Sequence, residues 1–130
     1  MIAGVGNDLV DMTRLQRLLA RYPRRLPQKI LTVAEREEFA VRQLSLTYLA
    51  GRVAAKEALS KALGTGLRTP VNWRQIAILG NEVGSPEFHF EPLLADYLAA
   101  REINKCHLSI THDGGFAMAV VIADKIVIPA

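Results

Sequence analysis

One stretch, Arg52 to Gly66, limits what this chain can fold into, because it sets Lys56, Glu57 and Lys61 on a segment that otherwise reads as a buried helix. From Ser45 to Leu63 the residues are strong helix formers, and Leu46, Leu49, Ala50, Val53 and Ala54 recur at the spacing of one helical face. Gly64 ends the helix. Carrying the apolar stripe one turn further brings it to Glu57, so a carboxylate lies on or beside the buried face. An unpaired buried charge costs several kcal/mol, comparable with the whole stability margin of a small domain. Glu57 therefore needs a partner. Lys61 stands at i+4 from it, and Arg52 and Lys56 share the same spacing. The segment is then either a structural Glu57–Lys61 ion pair at a helix edge, or a metal carboxylate with lysines set for phosphate. A second acid distinguishes them.

The 130 residues are 50% apolar and 22% charged, enough for one real core, so a single domain over residues 1–130 is expected. No apolar run approaches bilayer length, and the amino terminus carries Asp8 and Asp11 where an export signal would be basic and apolar. The chain reads as cytoplasmic, with no membrane partner. Its lone cysteine, Cys106, excludes an intramolecular disulfide and argues against a thiolate metal site. The formal charge of +3 is unevenly laid out. Arg14, Arg17, Arg21, Arg24, Arg25 and Lys29 fall between Asp11 and Glu35 without an acid among them, which points to an acidic partner. Nucleic acid, an anionic membrane surface and an acidic protein all satisfy charge alone.

In chain order, Ile2 to Val10 reads as a short strand ending near Asp8, with Gly4 and Gly6 admitting another backbone or a ligand. Asp11 caps a helix from Met12 to Arg21 whose apolar face is Met12, Leu15, Leu18, Leu19 and Tyr22. Pro23 and Pro27 reduce the segment to Leu31 to irregular chain or a short helical turn. Thr32 and Glu35 form a capping box for a helix to about Gln43, and the long helix follows from Ser45. After Gly66 the pattern changes: Val71 to Leu79 and Glu87 to Phe90 are strand candidates, and Pro92 opens a helix through Leu94, Tyr97, Leu98 and Arg101. Cys106, Leu108 and Ile110 alternate with His107, Ser109 and Thr111 as a half-buried strand, which places Cys106 in the core. His112 to Gly115 is the turn, and Phe116 to Ala123 returns as a central strand. The class is α+β: amino-terminal helices, one of them long and central, on a small antiparallel sheet.

Gly4-Val5-Gly6-Asn7-Asp8, the run from Arg52 through Lys56, Glu57 and Lys61 to Gly64, and Ser109 to Asp113 together resemble the holo-acyl-carrier-protein synthase family of phosphopantetheinyl transferases, over nearly the whole chain. The resemblance implies a 4′-phosphopantetheinyl transferase-like fold and a magnesium-dependent transfer of the 4′-phosphopantetheine arm of coenzyme A to a serine of an acyl carrier protein, releasing adenosine 3′,5′-bisphosphate, in fatty acid and lipid biosynthesis. The nucleophile belongs to the partner. Attack on a diphosphate meets strong negative charge, which a hard cation held by carboxylates neutralises. Asp8 and Glu57 match the family's metal carboxylates, and Lys61 its diphosphate lysine. Arg52 and His112 match residues for the 3′-phosphate of coenzyme A, and Gly64 and Asn81 match residues that line the family's nucleotide pocket. Taken alone, Lys61 is equally an ion-pair partner of Glu57 and His112 an exposed loop histidine. Val53 stands where many relatives carry an aromatic residue, and Asn7 where a hydroxyl is common.

The same resemblance gives the basic helix a partner, the acidic helix of a carrier protein, with Arg14 and Arg21 at the docking positions and Arg17, Arg24 and Arg25 beside them. It also implies a homotrimer whose active sites are shared between subunits. The competing reading is a small basic module that places Arg14 to Lys29 on nucleic acid. No nucleic-acid motif accompanies it, and aromatics for stacking are few. A nucleotide-dependent phosphotransferase is a further alternative, but Gly64-Thr65-Gly66 lacks the lysine and hydroxyl of a phosphate-binding loop.

Overall fold

The computed structural model describes residues 1–127. Strand β1 (Ile2–Asp11) leads into helix α1 (Met12–Arg21), followed by α2 (Arg25–Ile30), α3 (Val33–Val41) and the long α4 (Leu46–Leu63). A 3-10 turn at Trp73–Gln75 precedes β2 (Ile76–Gly80) and β3 (Pro86–Phe90), and α5 (Pro92–Ala100) precedes β4 (Ile103–Asp113) and β5 (Phe116–Lys125). The helix boundaries follow local chemistry. Asp11 Oδ1 accepts the Thr13 N–H at 2.9 Å, Ser45 Oγ accepts the Tyr48 N–H at 3.3 Å, and Gly64 closes α4 in the left-handed conformation at φ 72°. The capping box is present in both directions, Thr32 Oγ1 accepting from Glu35 and Glu35 Oε1 from Thr32.

β1, β5 and β4 form a three-stranded antiparallel sheet with β5 in the middle, and β2 with β3 forms a separate hairpin. β1 extends to Asp11, beyond the end expected near Asp8, because its ladder with β5 continues to the Asp11–Phe116 pair. Its inward residues Gly4, Gly6, Asp8 and Val10 lie opposite Ala123, Val121, Ala119 and Ala117, so one sheet face carries mostly small side chains. α4 lies against that face. A Cβ on Gly4 would run into the carbonyl oxygen of Ala62, and one on Gly6 into that of Ala58. The glycine pair admits a helix backbone. Ala54, Ala58 and Leu59 of α4 join Ile76, Ile78, Leu94, Leu98 and Val121 in one core, while Leu49 and Ala50 join Leu15, Ile30, Leu31 and Phe39 in a second.

Four further expectations are corrected. The strand expected from Val71 begins at Ile76, because Asn72 Oδ1 accepts the Gln75 N–H at 3.2 Å and winds the intervening residues into a turn. α3 stops at Val41, where Gln43 and Leu44 both turn left-handed at φ 57°. On α1 only Leu15 is buried; Leu18 and Tyr22 are 40% and 36% exposed. Lys56 is not a free lysine set for phosphate. It is fully buried, with Nζ on Glu35 Oε1 at 2.6 Å, Ile30 O at 2.7 Å and Trp73 O at 2.9 Å. Among the described residues no helix is long and apolar enough to cross a membrane.

Candidate active site

Asp8 occupies the inward strand position that follows Gly4 and Gly6. Those glycines face Ala62 and Ala58, a step of two along β1 against four along α4, which matches about 6.7 Å of strand to about 6 Å of helix. One more step brings Asp8 alongside the middle of α4. Lys61 reaches it there, Nζ 3.0 Å from Asp8 Oδ1, so the Glu57–Lys61 ion pair, one of the two readings of the spacing, gives way to a cross-element bridge. Asp8 and Glu57 both line one cavity of about 550 Å³, together with Arg14, Lys29, Val53 and Trp73. The Glu57 carboxyl is held above its usual range, first by burial and then by the charge of Asp8, with Lys61 opposing both.

Two carboxylates that repel each other across a half-buried cavity suit a cation. Among the described residues no group of three or more His, Cys, Asp and Glu side chains could hold a metal; the carboxylates that line this cavity are those of Asp8, Asp11 and Glu57, and Asp11 is already engaged as the cap of α1. Such a set fits magnesium, which prefers oxygen and keeps several waters and substrate oxygens in its shell.

Arg52 and His112 meet at a second cavity, of about 260 Å³, between the start of α4, the β2–β3 turn and the end of β4. Arg52 stacks on the Tyr48 ring at 4.0 Å and donates from Nη2 to Ile78 O at 3.0 Å, while its buried Nε has no hydrogen-bond partner. Within one chain the two cavities share no lining residue. Gly64 and Asn81 line neither. Asn81 shapes the hairpin turn: its Oδ1 accepts the N–H groups of Val83 and Ser85, and its Nδ2 donates to Glu87 Oε1 at 3.1 Å.

The basic residues Arg14, Arg17, Arg21, Arg24 and Arg25 are all exposed. Arg14 and Lys29 also line the carboxylate cavity, so the basic face runs to its rim with Leu18 exposed in its midst. Trp73 lines that cavity unannounced by the sequence, where it reads as part of a strand. A further feature escaped the spacing argument: Glu35, seen only as a capping residue, also accepts the Ile78 N–H at 3.0 Å and neutralises Lys56.

The family model for the 4′-phosphopantetheinyl transferase superfamily matches residues 4–121. A holo-[acyl-carrier-protein] synthase of Laribacter hongkongensis is 41% identical over 122 residues, 94% of this chain and 98% of that protein. The crystal structure of holo-[acyl-carrier-protein] synthase from Neisseria meningitidis superposes with a TM-score of 0.93 at 38% identity, covering 96% of this chain and all of that one. The Bacillus anthracis synthase in complex with CoA (3′,5′-ADP) gives 0.78 at 32% identity over 97% and 99% of the two chains.

Proposed function

The chain belongs to the holo-[acyl-carrier-protein] synthase family of the 4′-phosphopantetheinyl transferase superfamily, and from that membership we propose how its residues carry out the reaction. The enzyme transfers the 4′-phosphopantetheine group from coenzyme A to a serine of apo acyl carrier protein, giving the holo carrier and adenosine 3′,5′-bisphosphate. The serine oxygen gives up its proton and bonds to the phosphorus that bears pantetheine, while that phosphorus breaks its bond to the bridging oxygen, which leaves with the nucleotide.

The reading rests on Asp8 and Glu57 lining one cavity, with Lys61 bridged to Asp8. Asp8 and Glu57 would hold a magnesium ion, which when bound neutralises the diphosphate and orients its oxygens. Lys61 leans across Asp8 and is half exposed, free to turn toward the charge that develops on the departing bisphosphate. Arg52 and His112 take the 3′-phosphate in the second cavity. The exposed arginines from Arg14 to Arg25 draw in the acidic helix of the carrier, raising the encounter rate and setting its orientation. Arg14, at the cavity rim, hands the carrier on to the carboxylates.

The active unit in this reading is a homotrimer working in the cytoplasm in lipid biosynthesis. Two features support a shared site. The nucleotide residues and the metal carboxylates of one chain line separate cavities, and the outer sheet face carries the exposed apolar side chains Val5, Leu9, Phe116 and Met118. Family membership implies that in such an assembly Arg52 and His112 of one copy meet Asp8 and Glu57 of another.

The decisive experiment is the intact mass of an apo acyl carrier protein after incubation with this protein, coenzyme A and magnesium. A gain of one phosphopantetheine, abolished by chelator, is expected. No gain on several apo carriers from a folded protein would overturn the reading.

A further inference from the structure

We propose that Arg42 is a third cation of the 3′-phosphate cavity and a determinant of selectivity for coenzyme A over its 3′-dephospho form, an inference that rests on the reading of that cavity as the 3′-phosphate site. Arg42 ends α3, and the two left-handed residues Gln43 and Leu44 fold the chain back so that Arg42 lines the same cavity as Arg52 and His112. The two guanidinium groups share one platform: Arg52 lies 4.0 Å and Arg42 5.3 Å from the Tyr48 ring centroid. The residues that line the cavity include no aspartate or glutamate, while Ser45 and Thr47 add hydroxyl groups.

A phosphate monoester carries close to two negative charges at neutral pH. Arg52 is committed through Nη2 to the Ile78 carbonyl, so it presents only part of its donor fork. Its buried Nε, left without a partner, marks the cavity as built for an acceptor that a bound ligand would bring. A second guanidinium matches both the charge and the bidentate geometry of a phosphate. Arg42 is held by Glu38, whose Oε1 accepts from Nε at 3.1 Å and from Nη2 at 2.9 Å. That pair is more than half exposed on the arginine side, and such i, i+4 surface pairs are weak enough to exchange for a phosphate dianion. Glu38 thus stores the side chain at the cavity mouth in the absence of substrate.

The test compares wild type, Arg42→Ala, Arg42→Gln and Arg42→Lys with coenzyme A and with 3′-dephospho-coenzyme A at fixed salt, using melting temperature to verify folding. The Ala and Gln variants should raise KM for coenzyme A about tenfold with kcat little changed, and leave KM for the dephospho substrate unaltered. Lysine should recover part of the loss, since it restores charge without the fork. An unchanged KM for coenzyme A, or an equal rise for both substrates, overturns the role of Arg42. Should wild type itself fail to distinguish the two substrates, the reading of the cavity falls and this inference with it.

Discussion

The Lys56 ammonium lies 2.6 Å from the Glu35 carboxylate with both side chains wholly buried, and this pair ties α3, α4 and β2 together. Each member is saturated. Lys56 also donates to the carbonyls of Ile30 and Trp73, and Glu35 also accepts from the N–H groups of Thr32 and Ile78. Burial pulls the lysine below its ordinary value and Glu35 opposes that pull. Removing one partner strands the other without water. Lys56→Met should therefore cost about 3–5 kcal/mol in urea unfolding, and the double variant with Glu35→Gln should recover a substantial part. Additive losses would show that the two side chains act separately.

Gly6→Ala tests why a glycine pair precedes the aspartate. The new methyl would meet the carbonyl of Ala58 and the amide of Ala62, backbone atoms of α4 that cannot rotate away. The helix must lift off the sheet. The expected loss is about 1–3 kcal/mol or more, as for other overpacked cores, together with misplacement of Asp8 two residues on. Gly114→Ala is a useful contrast: its φ of 57° strains a side chain, but nothing lies within reach of the methyl, so activity of the folded protein should persist. Normal activity and stability in Gly6→Ala would mean that α4 and β1 are not packed backbone to backbone.

Much of this fold was legible because local chemistry set it. Asp11, the Thr32–Glu35 box, Ser45 and Gly64 marked helix ends that tertiary packing left in place. The β4 alternation and the Gly114–Gly115 turn likewise act over a few residues. What depended on distant partners was not legible. Spacing along α4 paired Glu57 with Lys61, but the lysine finds Asp8, fifty-three residues away in sequence, across an interface that only the glycine pair hints at. Lys56 looked like its neighbour Lys61 in the sequence; one is buried and the other exposed because Glu35 arrives from another helix. Arg42 reads as an unremarkable helix-end residue until the turn after it is built.

The docking surface predicts a separation between catalysis and partner capture. Arg14→Glu reverses a charge at the rim of the carboxylate cavity without touching the Arg52 cavity. Steady-state kinetics should show a higher KM for the carrier protein, on the order of tenfold at low salt, with KM for coenzyme A unchanged. The penalty should shrink as ionic strength rises, because exposed charges are screened within about 10 Å at 0.1 M salt. Equal damage to both substrates would argue against a distinct docking face.

Glu57 separates function from stability most sharply. Its carboxyl is held above the usual range by burial and by Asp8, so the fold prefers it protonated. For a carboxylate raised in this way, the stabilising contribution is complete below the unfolded value and is lost as pH rises through the folded one. At neutral pH the ionised side chain therefore works against the folded state. Glu57→Ala should melt no lower than wild type near pH 7.5, and its advantage should vanish as pH falls below the ordinary carboxylate range, where the wild-type side chain is protonated in the folded and the unfolded state alike. The same substitution removes one of the two carboxylates that repel each other across the cavity. Magnesium should raise the melting temperature of wild type and leave that of the variant unmoved, and transfer to a carrier protein should be abolished. A variant that retains full magnesium-dependent transfer would remove Glu57 from the site, whatever its melting curve.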